Sequence, residues 1–142
     1  MESLHTTTLE SRVVTATIDV ACDVVYEFAR TMENLPRWAS GLARGVSCER
    51  GEWFTESPMG RVKVAMAPRN DFGVLDHDVT LPDGATVHNA FRVTPAGAGS
   101  VLSFVVLRQP GVAAEAFESD VAHVARDLAA LKALLESACG AA

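Results

Sequence analysis

FESDVAHVARDLAALKALLE, residues 117–136, carries an apolar side chain at alternating steps of four and three. Those side chains are Phe117, Val121, Val124, Leu128, Leu131 and Leu135. Because an α-helix turns once in about 3.6 residues, this spacing puts them on one stripe of a long helix. We predict that helix over residues 113–138, after Pro110 and Gly111. A stripe of this length needs a broad apolar partner, and only the concave face of a curved sheet is large enough.

The residues before this helix predict one strand, two short helices and a series of further strands. Arg12–Asp19 is rich in β-branched residues, which is typical of a strand. Cys22–Arg30 has helical spacing, and a second short helix is predicted to end near Gly41. From Arg44 onward, apolar and polar residues alternate. The predicted strands lie at about 44–50, 52–57, 61–67, 73–81, 85–94 and 100–108, and the short turns between them indicate an antiparallel meander.

This order of elements resembles the helix-grip fold of the START/Bet v 1-like (SRPBCC) superfamily, and in particular its polyketide cyclase/dehydrase-like branch. The resemblance covers residues 12–138. It rests on VVYEFARTMENLPRW (24–38), FGVLDHDV (72–79) and the helix quoted above. It implies an α+β fold in which a curved antiparallel sheet of about seven strands wraps around the C-terminal helix. We expect a flexible tail at 1–10 and a single domain at 11–139.

The composition disfavours some classes of binding partner. The 142 residues include 18 acidic and 12 basic side chains, for a net charge of −6, and 49% are apolar. An acidic surface disfavours nucleic acid and anionic membranes, since phosphate binding needs a basic one. No run of apolar residues is long enough to span a bilayer. We therefore expect neither a nucleic-acid partner nor membrane insertion, while a homodimer stays open.

Cysteines and motifs exclude several kinds of chemistry. Cys22, Cys48 and Cys139 are far apart and odd in number, which favours reduced thiols in a cytoplasmic protein. The N-terminus lacks the features of a signal peptide. The four histidines are scattered, and no HExxH, GxSxG, GxGxxG or P-loop pattern occurs. The sequence predicts no metal, no cofactor and no nucleophilic triad.

The hairpin FGVLDHDVTLPDGATVHNAF, residues 72–91, holds an unusual number of polar groups. A three-residue loop at 82–84 would pair Leu81 with Ala85 and, counting outward, His77 with Asn89. One face is then apolar apart from that pair. The other face is mostly polar, and we expect it to face solvent. Its charged members are Asp76, Asp78, His88 and Arg92.

His77 and Asn89 lie on the face expected to meet the long helix. Burying such groups unpaired costs roughly 1–3 kcal/mol each. Either they satisfy one another in the core, or they line a cavity and meet water or a ligand. The predicted ligand-binding residues are His77, Asn89, Phe91, Trp53, Val79, Val87, Phe104, Val124 and Leu128. Trp38 is interpreted as a packing anchor, and Asp120 and Asp127 as groups that face solvent or a nearby loop more readily than a cavity mouth.

Two functions remain open at this stage. The first is binding of a small hydrophobic molecule between the sheet and the C-terminal helix. The resemblance to polyketide cyclases implies that a metal-free, cyclase- or dehydrase-like acid–base step could accompany it, as in a lyase or isomerase. His77 is the catalytic candidate, chosen by position. The second is a non-enzymatic interaction or regulatory module with a filled cavity. A void of a few hundred cubic ångströms lined by His77 and Asn89 would favour the first.

Overall fold

The structure is a computed structural model that describes residues 7–40 and 45–139. The strands are β1 (Ser11–Ile18), β2 (Val46–Glu49), β3 (Glu52–Ser57), β4 (Gly60–Met66), β5 (His77–Thr80), β6 (Thr86–Ala96) and β7 (Gly99–Leu107). The helices are α1 (Cys22–Arg30), α2 (Leu35–Trp38) and α3 (Ala114–Cys139), with a 3-10 turn at Met32–Asn34. The predicted α+β helix-grip architecture is confirmed.

The seven strands form one antiparallel sheet in the order β1-β7-β6-β5-β4-β3-β2. β2 to β7 follow one another as a meander, because short turns can join only antiparallel neighbours. β1 pairs with β7 along its whole length, from Ser11 opposite Leu107 to Ile18 opposite Ser100. β1 and β2 therefore lie at opposite edges of the sheet, and α1 and α2 connect them.

The apolar stripe of α3 packs against the concave face of the sheet. Phe117, Leu128, Leu131 and Leu135 are each at most 3% exposed. Val124, in the middle of the same stripe, is only partly buried. The apolar stripe is therefore closely packed against the sheet at both ends of the helix, and leaves space beneath the middle of the helix. None of the described helices has the length and apolar character that crossing a bilayer requires.

The predicted register of the polar hairpin is confirmed. His77 lies opposite Asn89 and Asp78 opposite His88. The Leu81 amide donates to the Ala85 carbonyl at 2.8 Å, which closes the three-residue loop. The hairpin therefore presents His77 and Asn89 to the concave side and Asp78 and His88 to the convex side.

Regular pairing begins later in this hairpin than predicted, at His77 instead of residue 73. Gly73 has a φ of +71°, and the Asn70 side chain bonds to the amides of Phe72 and Val74 and to the Val74 carbonyl. These bonds hold a compact loop where a strand was expected, since asparagine side chains readily replace backbone partners. Only an isolated bridge joins Val74 to β6.

Some predictions fall on residues that the structure does not describe. They are the first six residues of the proposed tail, the end of the second short helix near Gly41, and the start of the next strand at Arg44. Residues 7–10 have no regular secondary structure, but Glu10 contacts Arg108, the residue that follows β7. Its carbonyl accepts from the Arg108 amide at 2.8 Å, and its carboxylate pairs with the Arg108 guanidinium at 3.1 Å.

Candidate functional site

A cavity of about 400 Å³ lies between the sheet and the middle of α3. Its wall is mainly aliphatic and aromatic, and strands β4 to β7 supply the floor. The lining residues are Leu35, Trp38, Ala39, Ser57, Pro58, Met59, Val64, Met66, His77, Val79, Asn89, Phe91, Phe104, Asp120, His123, Val124, Asp127 and Leu128. This volume falls in the range of small-molecule sites, about 300–1,000 Å³.

The cavity brings together most of the predicted site residues, but two of them lie elsewhere. Val87 pairs with Val79 and is not among the lining residues. Trp53 lines a neighbouring cleft of about 460 Å³ together with Arg30 and Lys63. Alternation along β3 could not settle the place of Trp53, because both faces of that strand carry an aromatic ring.

His77 and Asn89 form the polar point of an otherwise apolar floor. Asn89 Nδ2 lies 3.4 Å from His77 Nε2, and His77 Nδ1 lies 3.0 Å from the Leu75 carbonyl oxygen. A carbonyl oxygen can only accept, so Nδ1 must carry the proton. In the neutral ring Nε2 is then an acceptor, and the amide NH₂ of Asn89 must face it. The carboxamide oxygen of Asn89 is consequently the end turned away from His77.

The Leu75 carbonyl is free to accept from His77 because the Asp76 carboxylate takes its place as the hydrogen-bond partner of the Phe91 amide. Leu75 donates its amide to the Phe91 carbonyl at 2.8 Å. The Phe91 amide donates to Asp76 Oδ1 at 2.9 Å, where a regular antiparallel pair would use the Leu75 carbonyl. A carboxylate on the convex side thus fixes the tautomer of an imidazole on the concave side.

The surroundings of His77 favour its neutral form. Phe91 and Phe104 place their rings 6.3 Å and 6.0 Å from the imidazole centroid. Burial lowers the pKa of His77 below its ordinary value, although the Leu75 carbonyl and the nearby Asp76 act in the opposite direction. A neutral imidazole with its Nε2 lone pair free of a proton can accept a hydrogen bond or a proton.

The convex face carries a charged cluster. His88 Nδ1 lies 2.6 Å from Asp78, and Arg92 lies 3.1 Å from Asp76. A hydrogen bond to Asp78 raises the pKa of the His88 imidazole. The expectation that all four charged residues face solvent is wrong for Asp76, whose side chain is only 13% exposed. Its bonds to Arg92 and the Phe91 amide lower the pKa of this carboxyl despite its burial.

Helix α2 supplies part of the cavity wall that the sequence did not predict. Trp38 is 7% exposed, and its ring lies 5.9 Å from that of Phe91, so it is both a packing anchor and a wall of the cavity. Ala39 and the turn around Met59 close other sides. The contribution of Trp38 and Ala39 depends on where α2 docks, and local periodicity carries no signal for that placement.

The mouth of the cavity is acidic. Asp127 accepts from the Ser40 amide at 3.1 Å and from its hydroxyl at 2.8 Å, and His123 Nε2 lies 3.4 Å from the same carboxylate. Asp127 thus makes the predicted loop contact while it also lines the opening, beside Asp120. Over residues 7–40 and 45–139, no three His, Cys, Asp or Glu side chains converge as metal ligands would.

Comparison with known proteins agrees with this geometry. Residues 11–136 match the family described as polyketide cyclase/dehydrase and lipid transport. No curated protein matches the chain.

Several solved structures share the fold at low sequence identity. The di-domain ARO/CYC protein BexL of the BE-7585A biosynthetic pathway is 18% identical at a TM-score of 0.69, over 90% of this chain and 47% of BexL. XoxI from Bacillus cereus is 13% identical at 0.68, over 89% and 95%. A START superfamily protein from Mycobacterium smegmatis is 12% identical at 0.62, over 88% and 98%.

Proposed function

Because the chain belongs to the polyketide cyclase/dehydrase and lipid transport family, we propose that it binds a small, largely apolar molecule in the cavity beneath α3. The observation that carries this proposal is a void of about 400 Å³ with a single polar point, His77 and Asn89, on its floor. Apolar burial would supply most of the affinity, at about 25 cal/mol per Å². The polar pair would orient the ligand.

The alternative of an interaction module with a filled interior has less support. Dense packing is the default for a protein interior, so a core of this kind would leave few voids larger than a water molecule. Val124 is only partly buried, whereas Phe117 and Leu131 of the same stripe are fully buried. The open space beneath Val124 favours a ligand over a partner protein.

Occupancy of the cavity can be tested by filling it. Val124→Phe places an aromatic ring in the cavity, while Ala125→Phe places the same ring on the exposed side of α3. The probe is the neutral dye N-phenyl-1-naphthylamine, whose fluorescence rises in apolar surroundings. We expect the wild type and Ala125→Phe to bind it alike, and Val124→Phe to bind it at least about tenfold more weakly, a loss of about 1.4 kcal/mol.

Equal binding by all three proteins would place the dye outside the cavity and remove the proposal. Native mass spectrometry of the same proteins, taken directly from cells, adds a test that depends on no chosen probe. A molecule that travels with the wild type and with Ala125→Phe but not with Val124→Phe is the expected cellular ligand.

A second candidate function is proton transfer by His77. The observation that favours it is the unprotonated Nε2 of a ring whose Nδ1–H is already bonded to the Leu75 carbonyl. Such a nitrogen could remove the acidic proton between two carbonyl groups, which is the first step of an aldol closure. Deuterium exchange at the central carbon of an acyclic 1,3-diketone, which is uncharged at neutral pH, followed by NMR, measures this step. An exchange rate unchanged in His77→Phe would remove the catalytic role and leave binding intact.

A further inference from the structure

The polar pair on the cavity floor specifies a class of ligand. Resting on the proposed function, we infer that the buried end of the ligand is an uncharged hydrogen-bond donor, such as a phenolic or enolic hydroxyl, and that the cavity rejects carboxylates, including fatty acids. Family membership does not decide this point, since its description spans both polyketide and lipid chemistry.

Each polar group on the floor offers a hydrogen-bond acceptor to a ligand. His77 Nδ1–H donates to the Leu75 carbonyl, so Nε2 carries no proton and has a lone pair that can accept a hydrogen bond. Asn89 turns its NH₂ toward that nitrogen at a long 3.4 Å, so its carboxamide oxygen stays available to another donor. Asp76 stabilises this arrangement, because it takes the Phe91 amide and frees the Leu75 carbonyl. A hydroxyl satisfies either acceptor, whereas a carboxylate brings only further acceptors.

The charges around the cavity also disfavour an anionic ligand. Among the described residues, the lining includes two carboxylates, Asp120 and Asp127, and no lysine or arginine. An anionic ligand would pass two negative groups at the mouth and reach a floor without a compensating cation. Burying an unpaired carboxylate is much more costly than burying a hydroxyl that finds an acceptor. Neutral molecules avoid both penalties.

Three probes with the same naphthalene ring system separate the effect of the hydrogen bond from the effect of the charge. They are 2-naphthol, 2-methylnaphthalene and 2-naphthoate, titrated into the wild-type protein at pH 7.5 by calorimetry. One net hydrogen bond predicts that 2-naphthol binds about two- to tenfold more tightly than 2-methylnaphthalene. The charge argument predicts that 2-naphthoate binds at least about a hundredfold more weakly than 2-naphthol. The double variant His77→Phe/Asn89→Leu, which removes both acceptors, should bring 2-naphthol and 2-methylnaphthalene close together, while Thr86→Leu, on the convex side of β6, should keep the wild-type order.

The outcomes distinguish this inference from the function on which it rests. If 2-naphthoate or 2-methylnaphthalene binds as tightly as 2-naphthol, the inference is overturned and cavity binding stands. Retention of the preference in the double variant also overturns it. If none of the three probes binds, the proposed function is removed and the inference with it. The wild-type ranking needs no variant, so the test holds even if the double variant does not fold.

Discussion

At position 77, four neighbouring residues fix the state of one imidazole. The Leu75 carbonyl selects the proton on Nδ1, the Asn89 amide faces Nε2, and aromatic rings remove water. Asp76 acts on the same ring from the opposite side of the sheet, through the amide of Phe91. Asp76 therefore functions as a positioning residue: its side chain bonds the Phe91 backbone but does not itself line the cavity.

We call this chain of contacts, from Asp76 through Phe91 and Leu75 to His77, the relay. It predicts that the tautomer of His77 changes when the Asp76 carboxylate is removed. In Asp76→Ala the Phe91 amide is free to return to the Leu75 carbonyl and compete with His77 Nδ1–H. We expect the fraction of Nε2–H tautomer to rise severalfold, since a net hydrogen bond is worth about 0.5–1.5 kcal/mol. Imidazole ¹⁵N chemical shifts at pH 8 report the ratio of tautomers directly.

Two variants control this measurement. Asp76→Asn keeps an oxygen for the Phe91 amide and should retain the wild-type shifts. Asp78→Ala removes a carboxylate from the same face, one that bonds His88 and not the Phe91 amide, and should also leave His77 unchanged. Wild-type shifts in Asp76→Ala would contradict the relay.

At the scale of single elements, residues 70–76 show how far sequence reasoning reaches. The alternation of polarity predicted the pairing of His77 with Asn89, because a slip of one residue would bury acids. It did not predict that pairing stops at His77, where side-chain bonds from Asn70 and Asp76 replace backbone bonds. The placement of Trp38 at the cavity was missed for a related reason, since it depends on tertiary docking and not on local pattern.

Gly73 gives this loop its closest approach to β6. A Cβ at Gly73 would stand 2.0 Å from the Val93 carbonyl oxygen, and the backbone φ is +71°. Gly84 in the hairpin loop also has a positive φ, of +92°, but a Cβ there would meet nothing within 4 Å. We expect Gly84→Ala to cost about 1–2 kcal/mol of unfolding free energy, from the left-handed backbone alone.

Gly73→Ala should cost clearly more, because it adds a clash with the backbone of β6 to the same conformational penalty. Urea unfolding of both variants against the wild type gives the comparison. Equal losses would mean that the loop moves away from β6 without cost, and that the contact between the Gly73 carbonyl and the Val93 amide at 2.9 Å does not hold it in place.

For the whole molecule, the two faces of the sheet set opposite dependences of stability on pH. The concave face disfavours a charge on His77 and lowers its pKa, whereas Asp78 on the convex face raises the pKa of His88. Both start from an ordinary value of 6.5 in the unfolded chain. Where the unfolded state binds more protons, stability increases with pH, and where the folded state binds more it decreases.

His77 therefore lowers stability as pH falls from 6.5 toward its folded pKa, because the unfolded chain takes up the proton first. His88 contributes stability below 6.5 that disappears as pH rises through its raised folded pKa. The unfolding free energy of His77→Gln should thus fall less than that of the wild type between pH 6.5 and 5.0. The contribution of His88 changes at pH values above 6.5, so the unfolding free energy of His88→Gln should rise less than that of the wild type as pH falls from about 8.5 to 6.5. Urea unfolding at six pH values from about 8.5 to 5.0 measures both slopes. An identical slope in His77→Gln and the wild type between pH 6.5 and 5.0 would mean that the imidazole takes up its proton as readily beneath α3 as in the unfolded chain.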